Sequence, residues 1–213
     1  MTIQDNVIRE YLKNVYFITG TPCGGKTTIS RALAKKHGFM VYDADEQFPI
    51  HQKISNSEFQ PSMNKQFLNA DEFFGRSVEE YKKWLINNTR EQLDFVLLDL
   101  IRLSQNQLVL CDCHLSMEEA DKLTDLSRVV FLLKDPSNII EDYCNRPGHQ
   151  DFSDYINSCT SVENAKLTCN ETLKDLNIEK YNKIKNSQYF WLERNKDSTV
   201  EKTVYEVEQY FQW

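Results

Sequence analysis

Short apolar runs alternate with amphipathic stretches along most of the chain. Val15-Tyr16-Phe17-Ile18-Thr19 is rich in β-formers and closed by Gly20, which predicts a buried strand. Ile29, Ala32 and Leu33 then follow at helical spacing as far as Gly38, a residue suited to ending a helix. Four more runs read as strands: Phe39 to Tyr42, Leu108 to Cys113, Val129 to Leu133 and Gln188 to Glu193. Between them, Ser77-Val78-Glu79-Glu80 and Ser116-Met117-Glu118-Glu119 have the form of capping boxes. The first opens an apolar face through Val78, Tyr81, Leu85, Leu93, Val96, Leu97 and Leu100, interrupted near Asn87-Asn88-Thr89, as one kinked helix or two shorter ones. The second opens a short helix through Met117, Ala120 and Leu123.

Asp135-Pro136-Ser137 starts a further helix, with Pro near the first turn where its missing N–H costs least, and Arg146-Pro147-Gly148 ends it. A polar excursion runs from Asp151 to Thr160, then a helical stripe of Val162, Ala165, Cys169, Leu173 and Leu176. Ser198-Thr199-Val200-Glu201 caps a last helix carrying Val200, Val204, Val207 and Phe211. The first dozen residues carry no clear apolar run and read as a lead-in. One interval breaks the alternation. From Gln47 to Arg76 the chain is polar, holds Pro49, Pro61 and Ser55-Asn56-Ser57, and is too long for an ordinary connection, so a mobile, partly helical cap is expected. The pattern as a whole implies an α/β fold: a five-stranded parallel sheet covered on both faces, in three α/β/α layers, as a single domain over residues 1–213.

Composition narrows the partners. At 213 residues and 40% hydrophobic content the chain can bury a substantial core. A formal charge of −7 argues against a broad cationic surface for nucleic acid or anionic membranes. No secretory leader and no apolar stretch near the ~20 residues of a membrane span is visible, so a cytoplasmic protein is expected. The six cysteines, Cys23, Cys111, Cys113, Cys144, Cys159 and Cys169, form no Cys-x-x-Cys pair, which favours reduced thiols. Cys111-Asp112-Cys113-His114 invites a metal reading. Strand alternation, however, sends Cys111 and Cys113 to one face and Asp112 and His114 to the other, and a closed zinc site needs four ligands, so buried strand cysteines are favoured.

Gly20-Thr21-Pro22-Cys23-Gly24-Gly25-Lys26-Thr27-Thr28 matches Gly-x-x-x-x-Gly-Lys-Thr at every fixed position, between a predicted strand and a predicted helix. Its glycines let several backbone N–H groups turn inward as an anion nest, and the helix start adds its positive dipole end. Lys26 is suited to bridge β- and γ-phosphates, and the Thr27 hydroxyl to ligate Mg²⁺. ATP and Mg²⁺ are the cofactors expected. A GTPase reading meets Asn195-Lys196-Asp197, which lacks the spacer of the guanine-reading motif. A motor or AAA-type ATPase would call for more chain, an Asp-Glu pair ending its third strand and an arginine finger, whereas here that strand ends in Asp112-Cys113.

Transfer to an acceptor gains from Asp43-Ala44-Asp45 at the tip of the second strand, at the carboxyl edge where ligands bind in such sheets. Two carboxylates at that spacing can divide the work between the metal's water shell and an acceptor hydroxyl that must lose its proton. At this point the chain resembles the small P-loop kinases of the nucleoside, nucleotide and shikimate kinase type. Beside the glycine loop, Phe39-Met40-Val41-Tyr42-Asp43-Ala44-Asp45 is similar to the shikimate-kinase-type strand ending in Asp-x-Asp, with Asp45 nineteen residues after Lys26. The resemblance implies Asp45 as the acceptor-binding general base and Asp43 near Mg²⁺. It implies Asp112, ending Leu108-Val109-Leu110-Cys111-Asp112, as a partner of the Mg²⁺ water shell, and Arg146-Pro147 as the start of a lid, about 145–160, whose arginine stabilises the transferred phosphoryl.

Departures from the family remove named substrates. Cys113-His114-Leu115 stands where shikimate kinases carry a glycine cluster. Asn145 to Tyr155 offers only Arg146 where nucleotide kinases use several arginines, and Asp112-Cys113-His114 replaces the acid-Arg-Ser of deoxynucleoside kinases. His51 reads as a surface histidine; Arg76 and Arg90 are placed to meet an anionic acceptor or neighbouring carboxylates; Tyr205, Tyr210, Phe211 and Trp213 read as packing of the last helix. The expected function is phosphoryl transfer from ATP to a hydroxyl on a nucleoside-like, antibiotic-like or other small molecule, by a monomer or homodimer. The alternative is a nucleotide-binding regulator or slow NTPase whose cap engages a protein partner.

Overall fold

The computed structural model describes residues 3–138, Tyr143 and residues 150–213. Its order is α1 (Asp5–Tyr11), β1 (Val15–Gly20), α2 (Lys26–His37), β2 (Met40–Asp43), α3 (Ala44–Ile54), α4 (Ala70–Phe74), α5 (Val78–Leu103), β3 (Val109–Asp112), α6 (Met117–Leu123), β4 (Val129–Leu133), α7 (Gln150–Asn157), α8 (Val162–Lys185), β5 (Trp191–Glu193) and α9 (Val200–Phe211). The five strands are parallel in the order β2-β3-β1-β4-β5. β1 is therefore central, and register pairs Ile18 and Asp43 with Asp112 on either side of β3.

Alternating side chains of the buried strands feed two cores. Phe17, Cys111, Phe131 and Leu133 face one, which is closed by Val96 and Leu100 of α5, Ala120 of α6 and Ile184 of α8. Ile18, Leu110, Val130 and Leu132 face the other, closed by Ile29 and Leu33 of α2 and Val204, Val207 and Phe211 of α9. This is the expected α/β/α sandwich, and it explains why strands 1, 3 and 4 are mostly apolar runs rather than alternating. Cys111 and Cys113 are buried in the first core, as strand alternation requires. Tyr210, Phe211 and Trp213 pack among Tyr16, Phe39 and Phe190, whereas Tyr205 is exposed.

Three local expectations are revised and one open alternative is settled. The N-terminal lead-in contains α1, docked on α6 and the turn after it by Arg9, which bonds the Asp121 carbonyl and Asp125. The interruption at Asn87-Asn88-Thr89 leaves α5 one continuous helix of 26 residues; Ser77 and Glu80 form its capping box. Part of the polar excursion 151–160 is α7, because Phe152 and Ile156, one turn apart, pack with Phe74 of α4 and with Ala165, Cys169 and Leu173 of α8. The acidic tip of the second strand is a helix start: Asp43 caps α3 by accepting from the Asp45 and Glu46 amides.

The 47–76 cap is partly helical, and it docks on α5. Backbone amides of Ser62 and Met63 bond the Glu91 carboxylate, Trp84 donates to the Ser62 carbonyl, and Met63 is buried. Among the described residues Arg76 forms no ion pair with a carboxylate and sits instead among aromatic rings. Its guanidinium stands 4.4–4.9 Å from the rings of Phe67, Phe73, Tyr81 and Trp84, and its Nε donates to the Phe73 carbonyl at 2.8 Å. Cation–π attraction is strongest where water is excluded, so Arg76→Leu is expected to destabilise the protein by about 2 kcal/mol. Urea titration checks this, and an unmoved midpoint would mean that the aromatic cage does not hold the cap.

Candidate functional site

The glycine loop is built against the end of β4. Thr21 donates its amide to the Leu132 carbonyl (3.1 Å), and its hydroxyl accepts from the Lys134 amide (2.7 Å). A Cβ on Gly20 or Gly24 would lie 1.9 or 2.3 Å from the Leu132 oxygen, so only glycine permits this approach. Gly25, at φ +97°, starts α2 and turns the loop into the helix axis. Arg194, just past β5, holds the Cys23 carbonyl at 3.0 Å. Lys26 is buried, with its Nζ on the Thr21 carbonyl at 3.2 Å, and the Thr27 hydroxyl donates to Asp112 Oδ2 at 2.6 Å.

Asp112 is 5% exposed, and burial pushes its carboxyl up to about 6 against the opposing pull of Lys26 and Thr27; Asp43 and Asp45 add to the rise. Such a group is a costly anion that a cation would relieve. A hydroxyl beside a carboxylate is also the hard-oxygen donor set that Mg²⁺ accepts. Asp43 is likewise buried and raised, first by desolvation and then by Asp45, but one of its oxygens serves the α3 cap and the other lies 3.9 Å from Arg31.

Asp45 occupies the first turn of α3 with a largely exposed carboxylate, 3.9 Å from His114 Nε2. Its backbone is anchored from α5, where Gln92 donates to the Ala44 carbonyl at 2.6 Å. His51 is the opposite of a surface histidine. It is 2% exposed, bonded to Asp99 at 3.1 Å and to Gln92 at 3.3 Å, and stacked on Phe95. The helical turn of α3, hidden from a reading that places a polar loop here, rotates it onto α5.

One cavity of about 350 Å³ gathers Lys26, Thr27, Asp45 and Asp112 with Arg90 and His114. Its apolar wall is Leu85 and Ile86 of α5 and Leu173 and Leu176 of α8. Asp43 does not line it, and Arg146 lies outside the described residues. Asn177 and Lys180 are among the lining residues that escape the sequence reading, because the α8 stripe is followed only as far as Leu176. Continuing that face by four residues from Leu173 and from Leu176 leads to both. Lys180 Nζ lies 3.1 Å from the Gly20 carbonyl, and desolvation followed by Lys26 pulls its ammonium down to about 8. A second cavity of about 380 Å³ lies across the loop, between Gly24, Gly25 and Thr28 and the segment from Arg194 to Thr203.

Residues 17–163 match the family model described as AAA domain. No curated protein matches the chain by sequence. Among solved structures, TT1252 from Thermus thermophilus is 16% identical with a TM-score of 0.53, over 92% of this chain and 96% of that one. Shikimate kinase from Acinetobacter baumannii in complex with shikimate is 17% identical at a TM-score of 0.47, over 92% and 90%. Dephospho-CoA kinase from Campylobacter jejuni is 20% identical at 0.42, over 93% and 96%. The first likeness shows the fold alone, and the other two are too loose to bear on function. The family match supports the resemblance to small P-loop kinases drawn from the glycine loop and Asp43-Ala44-Asp45.

Proposed function

We propose that the chain, which belongs to the AAA domain family, is an ATP- and Mg²⁺-dependent kinase that phosphorylates a hydroxyl on a small molecule. The observation that carries this reading is a single cavity lined by the loop residues Lys26 and Thr27, by Asp112 and by Asp45. A switch needs the first three; a carboxylate sharing a half-open cavity with them, beside an apolar wall, suits an acceptor.

In this mechanism the loop amides and Lys26 hold the phosphates, and the cavity across the loop seats the nucleoside. Thr27 and Asp112 would hold Mg²⁺, which neutralises phosphate charge when bound. Asp45 orients the acceptor hydroxyl and takes its proton as the new O–P bond forms and ADP departs with the electron pair of the broken bond. Leu85, Leu173 and Leu176 exclude water that would otherwise compete as acceptor. Asp43 supports Asp45 by capping α3 rather than by reaching the metal's water shell itself. Arg146 closes from a lid at about 145–160, and cap, lid and sheet form one domain over 1–213.

The cavity holds one molecule of roughly nucleoside size, with part of its wall apolar and Arg90 as a cation on the acceptor side. Incubating the protein with ATP, Mg²⁺ and a pooled metabolite library tests the reading: one component should gain ~80 Da as a transferred phosphoryl group. ADP formation with every metabolite unchanged would instead identify a slow NTPase or nucleotide-dependent regulator. Among the described residues no helix is long and apolar enough to cross a membrane.

A further inference from the structure

We propose that Lys180 is a second phosphate cation of this site and reads the terminal phosphate of the bound nucleotide, a role that nothing in the glycine-loop motif assigns. The residue comes from α8, 160 positions beyond the loop, yet its ammonium sits on the Gly20 carbonyl in the cavity that holds Lys26, Thr27 and Asp112. Lys26 rests in the same way on the neighbouring Thr21 carbonyl. Two ammonium groups thus converge on adjacent backbone oxygens at the mouth of an anion nest.

That arrangement is unfavourable in the free protein. Like charges in a desolvated site repel; Asp112 attracts Lys26, but among the described residues neither ammonium forms a direct ion pair with a carboxylate. Glu119 of α6 and Cys113 after β3 face Lys180 and favour its charge only weakly. If Lys180 served merely to tie α8 to the loop, a neutral amide would make the same bond without the repulsion. An anion between the two lysines would be attracted by both and offset their repulsion, and a terminal phosphoryl group there would share the cavity with Asp45. The cation then stands where charge builds on the phosphoryl oxygens during transfer.

Only the catalytic half of the proposal rests on the kinase reading, so its test begins without an acceptor. Affinities for ADP and for a non-hydrolysable imido-triphosphate analogue are measured by calorimetry, with Mg²⁺, for the wild type, Lys180→Gln and Lys180→Arg. Glutamine keeps a donor for the Gly20 carbonyl and removes the charge; arginine keeps the charge. Lys180→Gln is expected to bind ADP within about threefold of wild type but to lose about tenfold in preference for the triphosphate, and Lys180→Arg to recover most of it. An apo melting temperature no lower than wild type for Lys180→Gln excludes simple misfolding. Unchanged discrimination in Lys180→Gln, or equal loss in both variants, overturns the proposal in favour of a helix tether. Should discrimination depend on Lys180 while no metabolite is ever phosphorylated, the kinase reading falls and this one stands.

Discussion

Asp45→Asn is expected to lower kcat by about 10³-fold while leaving nucleotide affinity within about twofold, since a positioned general base contributes two to four orders of magnitude. The substitution is nearly isosteric. It leaves α3 intact because Asp43, not Asp45, accepts the capping amides, and because Gln92 holds the Ala44 carbonyl from α5. The Asp45 side chain is largely exposed and, among the described residues, is approached by His114 at 3.9 Å, so its loss removes little packing. A fall in turnover without a fall in stability or nucleotide binding therefore isolates its chemistry. Single-turnover transfer to the identified acceptor is the measurement, and wild-type rates in the variant would remove Asp45 from the mechanism.

Asp112→Asn should separate stability from activity in opposite directions. In the folded protein the carboxyl titrates near 6 rather than at its ordinary 3.8, raised by burial more than Lys26 and Thr27 lower it. The folded state thus holds this proton more tightly than the unfolded chain does. Its contribution to stability is fully present below the unfolded value and is lost as pH rises through about 6. At pH 7.5 the ionised group costs roughly 2–3 kcal/mol at 1.36 kcal/mol per pKa unit. Asparagine is neutral and can still accept from Thr27, so the metal-free variant is expected to melt higher than wild type at pH 7.5 and no higher at pH 4. Turnover should drop at least 100-fold, because a neutral amide is a poor partner for Mg²⁺. Denaturation at the two pH values, with and without Mg²⁺ and nucleotide, checks both halves. Equal wild-type and variant stability at pH 7.5 would mean that Asp112 is not a strained anion.

Aromatic caging of Arg76 and burial of His51 show where a linear reading misleads. Both residues sit in a segment whose polar composition signals a loop. The cap nevertheless orders itself, through Glu91 receiving two backbone amides and four rings enclosing one guanidinium. These contacts join residues 28 or 29 positions apart in the first case and up to nine in the second, so neither periodicity nor spacing records them. α7 is similar: its amphipathic pair Phe152 and Ile156 is too short a signal until Phe74 and α8 are present to receive it.

By itself the sequence determined the elements whose causes are local. Buried strands are apolar because both sheet faces are covered; helix starts are written in Ser-x-x-Glu boxes; and the glycine loop needs its residues contiguous, since one turn must shape the whole anion nest. It also marked Asp45 and Asp112 through their places at strand ends. Tertiary structure alone decided the strand order that sets Asp112 between Asp43 and the loop, the division of Asp43 and Asp45 into a cap and a cavity carboxylate, and the arrival of Lys180 from α8. The reason is separation along the chain. A site made where several strand ends and a distant helix meet depends on packing between segments, and that packing leaves no short-range pattern to read.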